Sequence, residues 1–199
     1  VDDFSALGIR SLQGYGLTEC ASLLAGNNDF FLNPSSTGCA IPGVTLKIAN
    51  PNDSGLGEIA AKGENIMLGY YKDEAATKAV MKDGFFYTGD LGYIDEQGAL
   101  FIKGRIKNVI VTNNGKNIYP EELETRLSKM EVISESLVFA ANDKNGDTCV
   151  KAKILPNIDF IKENLGYLPS FEDIHSFVKT AIDEINSKLP SYKHIRIME

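Results

Sequence analysis

What the 199 residues lack narrows the field first. No apolar run approaches the roughly 20 residues that a membrane-crossing helix needs, which leaves only a peripheral membrane contact open. No secretory leader is expected from the opening residues. Cysteine is scarce. Cys20, Cys39 and Cys149 are odd in number and have no metal-ligand spacing, so free buried thiols in a reducing, cytoplasmic setting are expected rather than a disulfide framework. Histidine is scarcer still: His175 and His194 have no cysteine or histidine neighbours, and structural or surface roles are expected for both. Basic charge is short as well. A net charge of −7 argues against a nucleic-acid surface, because neutralising phosphates takes clustered Lys and Arg. No Cys/His or Ser/His arrangement offers a covalent nucleophile.

What remains is ordinary for a water-soluble globular chain, and its length suits one large domain or two small ones. Residues 1 to about 104 read as mostly β. Short apolar runs recur at Val44–Ile48, Glu58–Ala61, Gly84–Tyr87 and Ala99–Ile102, punctuated by the turn signals Asn52-Asp53-Ser54-Gly55 and Asp95-Glu96-Gln97-Gly98. Their spacing predicts a small barrel or a strongly bent sheet. One helix interrupts, from about Asp73 to Met81, with Ala76, Ala79 and Val80 on one face. Beyond Arg105 the pattern changes to a small α+β domain. Val109–Val111 is a short strand, and Pro120 opens a helix with Glu121, Glu122 and Glu124 near its positive end and a stripe of Leu123, Leu127 and Met130. Strands are predicted at Leu137–Ala140 and Val150–Ile154. A last helix starts at Ser170 with Asp173 three residues on, and holds its period through Ile185 until Pro190.

Two short motifs carry chemistry. Gly14-Tyr15-Gly16-Leu17-Thr18-Glu19 sets a flat ring between glycines, where backbone can approach a ligand closely, and follows it with a hydroxyl and a carboxylate. Phe86-Tyr87-Thr88-Gly89-Asp90-Leu91-Gly92-Tyr93 places one aspartate after Thr-Gly in an apolar strand pattern. Each has a plain alternative: a turn with a core tyrosine, and a turn aspartate. Asn114-Gly115 is likewise an ideal hairpin pair.

In this order, and followed by Gly104-Arg105 and the run Asn113–Glu124 (NNGKNIYPEELE), the motifs closely resemble the AMP-forming adenylating enzymes. That superfamily includes acyl-CoA synthetases, peptide-synthetase adenylation domains and beetle luciferases, and the resemblance covers nearly the whole chain. It implies that Tyr15 stacks on the adenine of ATP, with Gln13 and Gly14 beside the base and Gly16 close to the acyl pocket. It implies that Thr18 contacts the α-phosphate, Glu19 holds Mg²⁺, Asp90 grips the ribose and Arg105 reaches the ribose or phosphate region. Lys107 falls at the family's hinge. Gly115 and Lys116, with Asn113 and Asn114, match the loop that lines the path of CoA. Val111 departs from the pattern, since several relatives carry lysine near this position. Lys193 fits the family's Pro-x-Tyr-Lys run and is not the lysine that stabilises the adenylation transition state.

By the same resemblance, residues 1–104 are the end of a large N-terminal domain, a β-barrel subdomain with the nucleotide motifs. Residues 105–199 are a mobile α+β C-terminal domain, ending before the terminal catalytic lysine. The chain is expected to be the C-terminal part of a larger enzyme, inactive by itself for want of the Gly/Ser/Thr-rich phosphate loop. The implied reaction joins a carboxylic, fatty acid to ATP as acyl-AMP and passes it to CoA. An amino-acid-activating domain that loads a carrier protein, or a nonenzymatic binding relative, is the alternative.

Overall fold

The computed structural model describes residues 4, 6–9, 11–28 and 31–199. Contacts divide the chain into two compact units, Val1–Ile106 and Lys107–Glu199.

The first unit opens with three two-residue strands, β1 (Gly14–Tyr15), β2 (Ala25–Gly26) and β3 (Cys39–Ala40), joined as one antiparallel sheet. A second, five-stranded antiparallel sheet follows. Its strands are β4 (Thr45–Ala49), β5 (Gly57–Lys62), β6 (Met81–Lys82), β7 (Phe85–Ile94) and β8 (Leu100–Arg105). The order runs β4-β5-β7-β6, and β8 pairs with a different stretch of β7 from β6. The predicted barrel is therefore not formed: among the described residues no pairing joins β4 back to β6 or β8. Alternating apolar residues locate strands, but closure also requires matched tilt and stagger at the two edges, and β6 is only two residues long. Leu24, Ile59, Phe86 and Leu100 form the core, with Tyr15 and Cys20 against them.

Helix α1 (Glu74–Val80) lies between β5 and β6. Asp73 caps it by accepting the Ala76 amide at 2.8 Å, which satisfies one of the orphan donors of the first turn. Ala76 and Val80 are half-buried, but Ala79 is exposed and does not share their face.

The second unit begins with a hairpin of β9 (Ile110–Val111) and β10 (Asn117–Ile118). Helix α2 (Pro120–Leu127) follows, with the proline at its first turn, where no amide hydrogen is needed. Met130 lies past its end and packs on the core. Strand β11 (Ile133–Asn142) pairs antiparallel with β12 (Thr148–Pro156). Helices α3 (Ile158–Leu165) and α4 (Phe171–Ser187) come next, and β13 (Ile195–Met198) returns to lie parallel to β12. The capping box of α4 is present: Ser170 and Asp173 satisfy each other's backbone amides. Leu123, Leu127, Val150, Ile161, Ile182 and Ile195 build one core from every layer.

Candidate functional site

Tyr15 leaves β1 with its ring buried and its hydroxyl donating to Asp90 Oδ2 at 2.6 Å, across 75 residues of sequence. The other carboxylate oxygen, Oδ1, receives Arg105 Nε at 2.8 Å. That second pairing is set by sheet register, because Asp90 on β7 and Arg105 on β8 are direct cross-strand partners. Asp90 is 5% exposed, whereas nearly half of the Arg105 side chain is open. An ionised carboxylate accepts at about four lone-pair positions, so two bonds leave room for two further donors such as vicinal hydroxyls.

A bulge aims Asp90 at this junction. Thr88, Gly89 and Asp90 together oppose the single residue Ile59, because the register of β5 on β7 shifts between Glu58/Leu91 and Ala60/Tyr87. Side chains take over the interrupted ladder. Thr88 Oγ1 donates to the Ile59 carbonyl at 2.9 Å and accepts the Asp90 amide at 3.1 Å. Glu58 Oε1 accepts the Gly89 amide at 3.0 Å, and Gly89 takes a φ of 73° that disfavours any other residue. In the sequence Thr88 stands out only as the step before Asp90 and Glu58 only as the start of a strand, and neither is expected to have a role of its own. The only signal for them is Thr-Gly inside an otherwise regular strand.

Thr18 and Glu19, the end of the tyrosine motif, occupy a 3₁₀ turn, Thr18–Cys20. Thr18 is exposed and Glu19 half-buried. The turn closes against Gly16, where a Cβ would stand 2.1 Å from the Ser22 carbonyl oxygen, so only glycine fits. Glu19 Oε1 accepts the Tyr70 hydroxyl at 2.9 Å. Burial, followed by the Glu19 carboxylate, raises the Tyr70 hydroxyl above its ordinary value and keeps it a donor. Tyr15 is raised as well, by burial first and then by its bond to Asp90. Cys20 is pushed up to about 11 by burial and by Glu19, which leaves it a thiol at neutral pH and no nucleophile. All three cysteines are free as expected, though Cys39 is only half-buried.

Gln13 and Gly14 border this turn. With its amide nitrogen turned to them, Gln13 donates to the carbonyls of Pro34 and Ser36 at 3.1 and 2.9 Å, and its own carbonyl accepts the Asn27 amide at 2.9 Å. The first unit thus joins Tyr15, Asp90 and Arg105 by direct bonds and sets Gln13, Gly14, Gly16, Thr18 and Glu19 along the adjoining chain.

Lys107, Gly115 and Lys116 belong to the second unit. Lys107 is exposed in a 3₁₀ turn, Ile106–Asn108. Gly115 takes a φ of 70° at the tip of the β9–β10 hairpin, where Thr112 accepts its amide at 2.8 Å and the Lys116 amide reaches the Thr112 hydroxyl at 3.0 Å. Asn113 is tied to the β11–β12 turn through Asp147 and the Thr148 amide. Lys193 is engaged by Glu122 at 2.6 Å.

Among the described residues no group of three His, Cys, Asp or Glu could hold a metal by itself. A single half-buried carboxylate at Glu19 nonetheless fits Mg²⁺, which takes oxygen ligands and is commonly held by one or two carboxylates together with phosphates and water.

Known proteins resemble this chain in sequence and in fold. Residues 1–71 match the family described as AMP-binding enzyme. Over 182 residues the chain is 33% identical to the long-chain-fatty-acid–CoA ligase of Bacillus subtilis, covering 88% of this chain and 31% of that protein. The o-succinylbenzoate CoA synthetase of Bacillus subtilis, solved with its acyl-adenylate intermediate, superposes with a TM-score of 0.79 at 26% identity, covering 100% of this chain and 39% of the synthetase. The same synthetase with ATP and a magnesium ion gives a TM-score of 0.76 at 27% identity, covering 99% and 39%. The chain spans between three and four tenths of the length of these proteins. With the Tyr15–Asp90–Arg105 junction in place and these likenesses beside it, the chain belongs to the AMP-forming adenylating superfamily, among the acyl- and aryl-CoA ligases.

Proposed function

We propose that this chain supplies the ribose grip and the C-terminal domain of an ATP-dependent enzyme that activates a fatty acid and transfers it to CoA. The carboxylate attacks the α-phosphorus of ATP, forming a mixed anhydride and releasing pyrophosphate. The CoA thiolate then attacks the carbonyl carbon and AMP leaves. The observation that carries this reading is the nearly buried Asp90, held on both oxygens by Tyr15 and Arg105 with accepting capacity to spare.

In this reading the ribose hydroxyls donate to Asp90, and Arg105 fixes that carboxylate while facing the nucleotide with its open end. Tyr15 and the backbone at Gln13, Gly14 and Gly16 bound the base, and Thr18 donates to the α-phosphate. Glu19 would hold Mg²⁺, which when bound neutralises phosphate charge; the magnesium ion in the related synthetase supports this. Residues 105–199 act as the moving domain, with Lys107 at its hinge and Gly115 and Lys116 along the CoA path. ATP, CoA and free thiols suit a cytoplasmic protein. Among the described residues no helix is long and apolar enough to cross a membrane. The fatty-acid ligases among the relatives favour a fatty acid. The likeness to a synthetase of o-succinylbenzoate favours an aryl acid as the second reading.

The test is acid-dependent exchange of labelled pyrophosphate into ATP by the full-length protein, followed by thioester formation with CoA. Exchange with long-chain acids and not with aryl acids supports the first reading, and the reverse pattern supports the second. Absence of exchange with any acid overturns both, and transfer only to a carrier protein overturns CoA as the acceptor.

A further inference from the structure

We propose that Tyr70 is a positioning residue that orients the Glu19 carboxylate toward a nucleotide-bound divalent cation, with helix α1 as its anchor. The inference rests on the reading of Glu19 as the residue that meets Mg²⁺. The turn that carries Glu19 has bonds of its own, the Cys20 and Ser22 amides donating to the Leu17 carbonyl at 3.0 and 3.3 Å, but its backbone past Cys20 is strained. Ala21 and Ser22, which follow it, take φ values of 46° and 79°, a left-handed conformation that side chains disfavour. Residues 65–70 add bonds to the turn from outside. Asn65 Nδ2 donates to the carbonyls of Cys20 and Leu23, both at 2.9 Å, and the Met67 amide donates to the Glu19 carbonyl at 2.8 Å. Those bonds place the backbone. The Tyr70 hydroxyl, at 2.9 Å from Oε1, places the carboxylate itself.

Tyr70 is in turn fixed by α1. Its amide donates to Thr77 Oγ1 at 2.9 Å, and that hydroxyl donates to the Asp73 carbonyl at 2.8 Å. Gly69 packs so closely that a Cβ would lie 2.8 Å from the Thr77 methyl. One rigid path therefore runs from the helix N-terminus through Tyr70 to Glu19. Mg²⁺ demands near-octahedral geometry at short range, so a carboxylate free to rotate is a poorer ligand than one held by an outer donor.

Tyr70→Phe keeps the ring and removes only the donor. In the full-length protein, Mn²⁺ binding in the presence of a non-hydrolysable ATP analogue is followed by the loss of the free-ion electron paramagnetic resonance signal, and metal-free AMP binding by calorimetry. The expected result is AMP affinity equal to wild type and Mn²⁺ affinity about 10-fold weaker, the lower end of what outer-shell changes cost. Equal Mn²⁺ affinity in variant and wild type overturns the inference, as does parallel loss of AMP binding, which would mark Tyr70 as merely structural. Failure of the wild type itself to bind AMP overturns the nucleotide reading on which the inference stands.

Discussion

Asp90 combines near-complete burial with two charge-assisted bonds, and either feature alone would be unremarkable in a sheet. Together they make a carboxylate whose direction is set before any ligand arrives. Hydrogen bonds to a charged group are worth about 1.5–3 kcal/mol each, so Asp90→Ala in the full-length protein is expected to cut the efficiency of ATP use by at least tenfold. Steady-state kinetics over ATP concentration, on a variant shown to be folded by its circular dichroism, measures it. Unchanged kinetics would take Asp90 out of the site. Asp90 stands out in the sequence as a lone acid after Thr-Gly. Its bond to Tyr15 does not, because 75 residues and two separate sheets intervene before the hydroxyl meets the carboxylate.

The bulge on β7 is the element that makes this residue usable. Thr88 replaces two ladder bonds with one hydroxyl, so Thr88→Val leaves the Asp90 amide and the Ile59 carbonyl without that partner in a buried place. The expected cost is about 1–3 kcal/mol, read from urea unfolding of the variant against wild type. Strand β12, whose burial alternates from Val150 onward, and the long amphipathic α4 were legible because burial itself writes their period. The pairing of the first unit's strands was not, since periodicity says which face is buried but not which edge meets which. Helix α3 was missed because eight residues allow only about two turns of pattern. Its signal lay in the caps: Asn157 accepts the Phe160 amide at 3.2 Å, and Gly166 ends the helix with a φ of 76°. Strand β13 was missed for a related reason, being four residues long and paired with a strand distant in sequence.

At the scale of the whole molecule, two consequences separate the units. Lys107→Pro fixes φ near −65° at the proposed hinge, so one half-reaction is expected to fall far more than the other. Acyl-AMP formation and CoA capture of supplied acyl-AMP, measured separately in the full-length protein, decide this; equal loss or no loss places the hinge elsewhere. The second unit has a pH-dependent contact of its own. Burial would raise Glu122, but the Lys193 bond and charge, with Arg126, prevail and hold it below the ordinary carboxylate value of 4.5. A depressed carboxylate stabilises the fold above its unfolded value and loses that contribution as pH falls through the folded one. Acid unfolding of the protein below about pH 4.5 is therefore expected to flatten in Glu122→Gln, as measured by thermal melts across pH, and an unaltered pH slope would remove this pair from the balance.

The parallel strand β13 has a consequence in time. Its partner β12 is complete before either α3 or α4 has been made. At about 5–20 residues per second of synthesis, the β11–β12 hairpin waits for seconds with the Val150–Ala152 edge open, and an open edge is a template for pairing with a neighbouring chain. Lys151 sits on that stretch and Lys153 just past it, and their charges discourage such a neighbour during the interval. Once β13 arrives, Lys151 turns to Glu199 at 2.6 Å, and a guard of the nascent chain becomes a tie in the finished one.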